Sequence, residues 1–194
     1  MATNSSGLTR APLIRPVQAV DLEPLKVFLG ELSPGSLYFR FGKPHVPLWS
    51  DEQWAELCQP DTKHTTGLVA VEVIKTGQYA IVGMARLVTD ARRKNAEFSV
   101  VLADRKQQQG IGTRLIHALV TEAQRRALTT IYGDVLPTNH AMIRFCEGLG
   151  MEINDCPVEA RLSRMVFRIQ DLSCISNRTT AAQTPHTCIE IRAA

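Results

Sequence analysis

AEFSVVLADRKQQQGIGTRLIHALVTEA, residues 96–123, changes its periodicity halfway along, and that change decides the fold. At its start Phe98, Val100 and Leu102 point one way while Glu97, Ser99 and Val101 point the other, which is strand spacing. From Gly112 to about Arg126 the apolar residues Leu115, Ile116, Leu119, Val120 and Ala123 recur at helical spacing, and Arg125 and Arg126 suit the negative end of the helix dipole. Between the two lie three glutamines, which favour no tight turn, and two glycines, which weaken any helix that contains them. The next apolar run, IYGDVL (131–136), reads as a buried strand. Strand, helix and strand from Ala96 to Leu136 then form a β-α-β unit, whose two strands are parallel and whose crossover is right-handed. Its loop sits at the carboxyl end of a parallel strand, where open α/β sheets bind ligands.

The remaining segments read mainly as antiparallel structure. LIRPV (13–17) predicts a short strand, and Asp21 is placed to cap a helix ending near Leu29. SPGS (33–36) breaks that helix and opens a long aromatic and proline-rich loop. Ser50, with Glu52 and Gln53 close behind, starts a second helix running to about Cys58. TGLVAVEVIK (66–75) and YAIVGMARLVT (79–89) make a hairpin joined at Thr76-Gly77-Gln78. Further along, a helix from about Asn139 to Leu149 is stopped by Gly150, and EARLSRMVFRI (159–169) closes the sheet. The expected fold is α/β (α+β): a mixed, mostly antiparallel sheet of six to seven strands flanked by about four helices. One domain over residues 12–170 is expected between a disordered tail at 1–11 and a mobile tail at 171–194, in which IEIR could add a few strand residues.

Composition narrows the function. In 194 residues, 44% are hydrophobic and 21% charged, the proportions of a globular domain with room for one substantial core. The net charge of +3 is spread out, with no basic run of the kind nucleic-acid arms carry, so no nucleic-acid partner is expected. No stretch reaches the ~20 apolar residues of a membrane span, and the N-terminus lacks a signal-peptide core. The expected location is the cytoplasm, with no membrane partner. Five cysteines, without a C-x-x-C pair or a histidine at ligand spacing, read as free thiols, and no metal site is expected.

The 107–113 loop fails as a dinucleotide fingerprint, because Leu115 stands where a third glycine belongs, and as a P-loop, because Gly112 is followed by Thr113 and Arg114. What remains is a helix N-terminus with small residues around its free amides, a fitting cradle for a pyrophosphate. An ordinary loop before a helix is the competing reading. Gln107-Gln108-Gln109-Gly110-Ile111-Gly112 resembles the signature Gln/Arg-x-x-Gly-x-Gly/Ala of the GNAT superfamily of acyl-CoA-dependent N-acyltransferases. Asn139 and Gly150 fall in register with a second feature of that family, Asn-x-x-Ala-x-x-x-Tyr-x-x-x-Gly-Phe, while Met142, Cys146 and Met151 depart from it. The stretches LSPGSLYFRF, ARLV, AEFSVVL and NHAM most resemble the acetyltransferase domain of bacterial protein lysine acetyltransferases.

The resemblance implies acetyl-CoA as cosubstrate and an amine acceptor, possibly a protein lysine. It implies that amides from Gln109 to Thr113, in the loop Gln107, Gln108, Gln109, Gly110, Ile111, Gly112 and Thr113, hold the CoA pyrophosphate. Val101, Leu102 and Ala103 would pair with the pantetheine like an added strand. Asn139 would contact the cofactor near its sulfur. Glu97 matches in position the glutamate bases of lysine-acetylating relatives, and a base is needed because an amine of pKa ~10.4 arrives as ammonium. Its alternative reading is a solvated strand-edge charge. Cys146 stands where many relatives carry a tyrosine general acid; it could protonate the thiolate, could carry the acyl group, or could be a small core residue. Tyr132 is a less specific candidate acid. His117 and His140 read as helix-surface residues. The alternatives to a lysine acetyltransferase are a small-molecule amine acetyltransferase and a non-catalytic acyl-CoA-binding module.

Overall fold

The computed structural model describes residues 11–169 apart from Ala91 and Arg93, and both expected tails except Ala11, with Cys174, Cys188 and the IEIR segment, lie outside the described residues. Seven strands form one sheet in the order β1-β2-β3-β4-β5-β7-β6. They are β1 (Leu13–Pro16), β2 (Thr65–Lys75), β3 (Gln78–Thr89), β4 (Asn95–Leu102), β5 (Thr130–Val135), β6 (Glu152–Asp155) and β7 (Ser163–Arg168). Every neighbouring pair is antiparallel except β4 and β5, the parallel pair that the crossover helix demands. The mixed sheet of the sequence reading is therefore present.

Five α-helices flank the sheet: α1 (Leu22–Gly30), α2 (Pro34–Phe41), α3 (Asp51–Cys58), α4 (Ile111–Arg125) and α5 (His140–Gly148). The additional helix is α2, where the sequence reading placed a break and a loop. Ser33, in extended conformation, accepts a hydrogen bond from the Ser36 amide, Pro34 occupies the first turn, and Gly42 at φ 70 ends the helix. Proline is harmless there because its missing N–H would have had no intrahelical partner. SPGS thus starts a helix rather than interrupting one.

Asp21 precedes α1 as expected but makes no side-chain cap. Stronger donors claim its carboxylate: Arg15 in a two-pronged pair at 2.7 Å, the Tyr79 hydroxyl at 2.6 Å and the Gln18 amide at 2.8 Å. Burial opposes ionisation of Asp21, but these donors hold its pKa below the ordinary carboxylate value. The Ser50–Gln53 capping box of α3 forms as the sequence suggests.

Two cores lie on opposite faces. α4 and α5 pack Leu115, Ile116, Leu119 and Cys146 against Phe98, Ile131 and Met165. On the other face α1, α2 and α3 pack Leu25, Phe28, Leu37 and Leu57 against Val69, Met84 and Val101. Strand β4 contributes to both, so its alternation sets which side chains face which layer. None of the helices among the described residues is long and apolar enough to cross a membrane.

Candidate functional site

Strand β4 has eight residues but pairs with β5 over only three, Asn95 with Thr130, Ala96 with Ile131 and Glu97 with Tyr132. Beyond that point β5 keeps its antiparallel pairing to β7 through Val135, while β4 follows β3, pairing Val101 with Met84 and Leu102 with Gly83. The sheet therefore splits between the carboxyl halves of its two parallel strands. Phe98 seals the inner wall: a Cβ on Gly133 would meet its ring at 2.8 Å, so only glycine fits on the opposite strand. Val101 and Ala103 are buried toward α1–α3, and the Ala103 amide donates to Val82 on the β3 side.

The mouth of this split meets the start of α4. Gln108 and Gly110 both take positive φ, 58 and 75. Among the described residues the amides of Gln108, Gln109, Gly110, Ile111, Gly112 and Thr113 donate to no backbone carbonyl; the first such bond is from Arg114 to Gly110. Six neighbouring N–H groups without backbone partners at the positive end of a helix are chemically suited to receive an anion. Two glutamines bond within the protein: Gln109 Nε2 donates to the Arg105 carbonyl at 2.9 Å and Gln107 Nε2 to Ser36 Oγ at 3.4 Å. A Cβ on Gly110 would meet nothing within 4 Å, whereas on Gly112 it would touch Phe145 and Leu102 at 3.4–3.5 Å. Gly110 is thus required by its backbone angle, and Gly112 lies close against α5.

Glu97 is exposed and shares its face of β4 with Ser99, which pairs with Arg86. Tyr132 lies beside it, half-buried, with the Arg164 guanidinium over its ring at 4.2 Å. Burial first, and the Glu97 charge next, raise the Tyr132 pKa, so the phenol keeps its proton. Arg164 is itself held by Asp134 through two bonds of 2.7 Å. Asn139 caps α5, its Oδ1 accepting from the Met142 amide at 3.2 Å, and its Nδ2 has no partner among the described residues. Cys146 is fully buried in the α4–α5 core, and burial pushes its thiol up to about 12. His117 is more enclosed than its surface reading implied; its Nε2 is buried without a partner, and burial lowers its pKa. His140 is exposed.

Three features escaped the sequence. The Asp104 carboxylate, just past β4, accepts from the Ser33 amide at 2.9 Å, Ser33 Oγ at 2.8 Å and Ser36 Oγ at 2.7 Å. This ties the 104–110 loop to the first turn of α2 across a separation of 71 residues, which no local pattern signals. The direct pairing of Tyr132 with Glu97 depends on strand register, and Arg40 lay in a stretch that read as loop. Among the described residues no group of three His, Cys, Asp or Glu side chains is arranged to hold a metal ion.

Comparison with known proteins agrees with this architecture. The profile of the Acetyltransferase (GNAT) family matches residues 36–151. An acetyltransferase of Pseudomonas aeruginosa is 29% identical over 141 residues, 73% of this chain and 75% of that protein. The GNAT domain of PAT from S. lividans superimposes with a TM-score of 0.69 at 23% identity, covering 80% of this chain and 89% of that one. The YncA protein of Salmonella typhimurium, solved with its cofactor acetyl-CoA, gives 0.64 at 20% identity over 82% and 95%. A spermidine N-acetyltransferase from Vibrio cholerae, solved with CoA and spermine, gives 0.64 at 17% over 81% and 95%.

Proposed function

The chain belongs to the GNAT family of acetyltransferases, and on that premise we propose that it moves an acetyl group from acetyl-CoA to a primary amine by direct attack, with Glu97 as general base. The observation that carries this reading is the place where the sheet splits. Glu97 and Tyr132 form its last pair, while the unpaired amides of the α4 start lie at its open end. A pyrophosphate on the amides of Gln109 to Thr113, with Gln107 and Gln108 shaping the loop, leaves the pantetheine to run along Val101, Leu102 and Ala103. The thioester end then points toward Glu97.

The chemistry divides among few groups. Glu97 takes the ammonium proton, directly or through water, and frees the nitrogen lone pair. That nitrogen forms a bond to the thioester carbon as the carbon–sulfur bond breaks, and it sheds its second proton to solvent, leaving the amide. The departing thiolate, of ordinary pKa ~8.5, needs little assistance, and the phenol of Tyr132 is the better placed donor beside Glu97. The Nδ2 group of Asn139 donates toward the cofactor near its sulfur. Cys146, buried with its proton held tightly, serves packing. A protein lysine as acceptor is supported by the resemblance of the α2 and β4 segments to bacterial protein lysine acetyltransferases.

The test is release of free CoA thiol from acetyl-CoA in the presence of lysyl peptides and small amines, with products identified by mass. Acetylated amine with stoichiometric thiol supports the proposal. Thiol release without an acetylated amine, or affinity for acetyl-CoA without turnover of any amine, rejects it in favour of a hydrolase or a binding module.

A further inference from the structure

On the face of the sheet that carries Glu97, two guanidinium groups lie close together, and among the described residues neither forms an ion pair. Arg86 of β3 is in register with Ser99 of β4, two residues from Glu97 on the same face. Arg40 comes down from α2, which packs on β4, with its guanidinium over the Phe41 ring at 4.8 Å. The Nε atoms of both are fully buried and without a hydrogen-bond partner among the described residues. Among the described residues no carboxylate lies within ion-pairing distance of either; Arg86 senses Glu56 and Arg40 senses Glu97 only through space. Burial, and after it the charge of Arg86, lower the Arg40 pKa to about 10, which still leaves it a cation at neutral pH.

Two partly buried like charges, each with an orphaned Nε–H, are costly to fold around unless something answers them. Other arginines here have a carboxylate partner: Arg15 has Asp21, Arg125 has Glu122 and Arg164 has Asp134. We propose that Arg40 and Arg86 form an oxyanion subsite beside Glu97, so that the preferred acceptor is an amine that also carries a carboxylate. Guanidinium forks match carboxylate oxygens in planar geometry, and the bound carboxylate would hold the amine within reach of the base. The inference deepens the acetyltransferase reading and rests on it. The carboxylate belongs either to a free amino acid or to an acidic residue beside a lysine, and the experiment separates the two.

Acetylation rates are compared for n-alkylamines and the ω-amino carboxylates of equal chain length, and for lysyl peptides with glutamate or glutamine next to the lysine. We expect kcat/KM to be at least about tenfold higher for the carboxylate-bearing member of one series. That ratio should fall toward one in Arg40→Gln and Arg86→Gln, and recover in part in Arg86→Lys, which restores charge without the fork. Unaltered thermal midpoints verify folding of the variants. A ratio near one for wild type in both series, or a ratio that survives both glutamine substitutions, overturns the subsite. If no amine of either kind is acetylated, the acetyltransferase reading fails by itself. The subsite is then decided by calorimetry with glutarate: binding to wild type that disappears in Arg86→Gln supports it, and absent or unaltered binding overturns it.

Discussion

Glu97 and Tyr132 are directly opposed on the parallel strands β4 and β5, and the sheet parts immediately beyond them. A carboxylate and a phenol that keeps its proton thus occupy the last of the three positions at which the parallel strands are held in register. Replacing Glu97 with glutamine preserves strand pairing and shape but removes the proton acceptor. Turnover of a good amine should fall roughly 10²-fold or more near neutral pH, with acetyl-CoA affinity nearly unaltered. The defect should shrink as pH approaches the acceptor's own pKa, because more amine then arrives neutral. Rates measured from neutral to alkaline pH decide it; a defect that stays constant returns Glu97 to a solvated charge.

Gly110→Asp should weaken acetyl-CoA binding at least tenfold. The side chain itself meets open space, so the loss has two other sources: a backbone at φ 75 that favours glycine, and a carboxylate placed among amides that face an anion. Calorimetric titration reads this directly, and Gly110→Ala separates the two sources by adding only the first.

Cys146→Ala should keep more than a tenth of wild-type turnover while lowering stability by about 1 kcal/mol, since it removes a buried sulfur from a packed core. Loss of nearly all activity in a folded variant, or an acyl-cysteine trapped in the mass spectrum, would assign the thiol a chemical role.

Stability should decline in acid through identifiable carboxylates. Glu122, held by Arg125 first and by Arg126, has its pKa lowered to about 2 from 4.5, and Asp21 is lowered as well. Groups with depressed folded-state pKa values stabilise the fold fully above their unfolded values and lose that contribution as pH falls through the folded ones. Denaturation midpoints should therefore be flat above about 5 and drop between about 4.5 and 2. Asp21→Asn, which leaves Arg15 without its partner, should be less stable by about 3 kcal/mol at neutral pH and show a shallower acid slope.

The parallel pair, the loop and the crossover helix were legible because residues 96–123 switch cleanly between two periodicities, a property of the local chain. The face of β4 on which Glu97 lies was legible for the same reason, while its role as base comes from the family resemblance and stands as a proposal. What escaped was nonlocal or depended on competition. α2 was hidden because Pro-Gly reads as a breaker until Ser33 is seen to cap it. Asp21 had the right identity for a cap, but Arg15 and Tyr79 outbid the helix amides through contacts that only the tertiary fold supplies. Arg86 sits in an apolar strand, and its lack of a counter-ion is visible only once the neighbours are known.

The Asp104 carboxylate has a consequence for how the two ligands of a transferase would communicate. Burial would raise its pKa, but the hydroxyls of Ser36 and Ser33 and the Ser33 amide more than offset this, and it stays ionised well into acid. It follows β4 into the loop that turns to α4, and it clasps the turn that launches α2, the helix bearing Arg40. Any shift of that loop is therefore passed to α2 by a charged clasp rather than by soft packing. Thermodynamic reciprocity then fixes the form of the traffic: by whatever factor occupancy of the loop alters affinity on the α2 side, occupancy on the α2 side alters affinity at the loop by the same factor. Asp104→Ala, by opening the clasp, should bring that factor closer to one, leaving the Gln107–Ser36 bond and the packing of α2 on β4 as the remaining links.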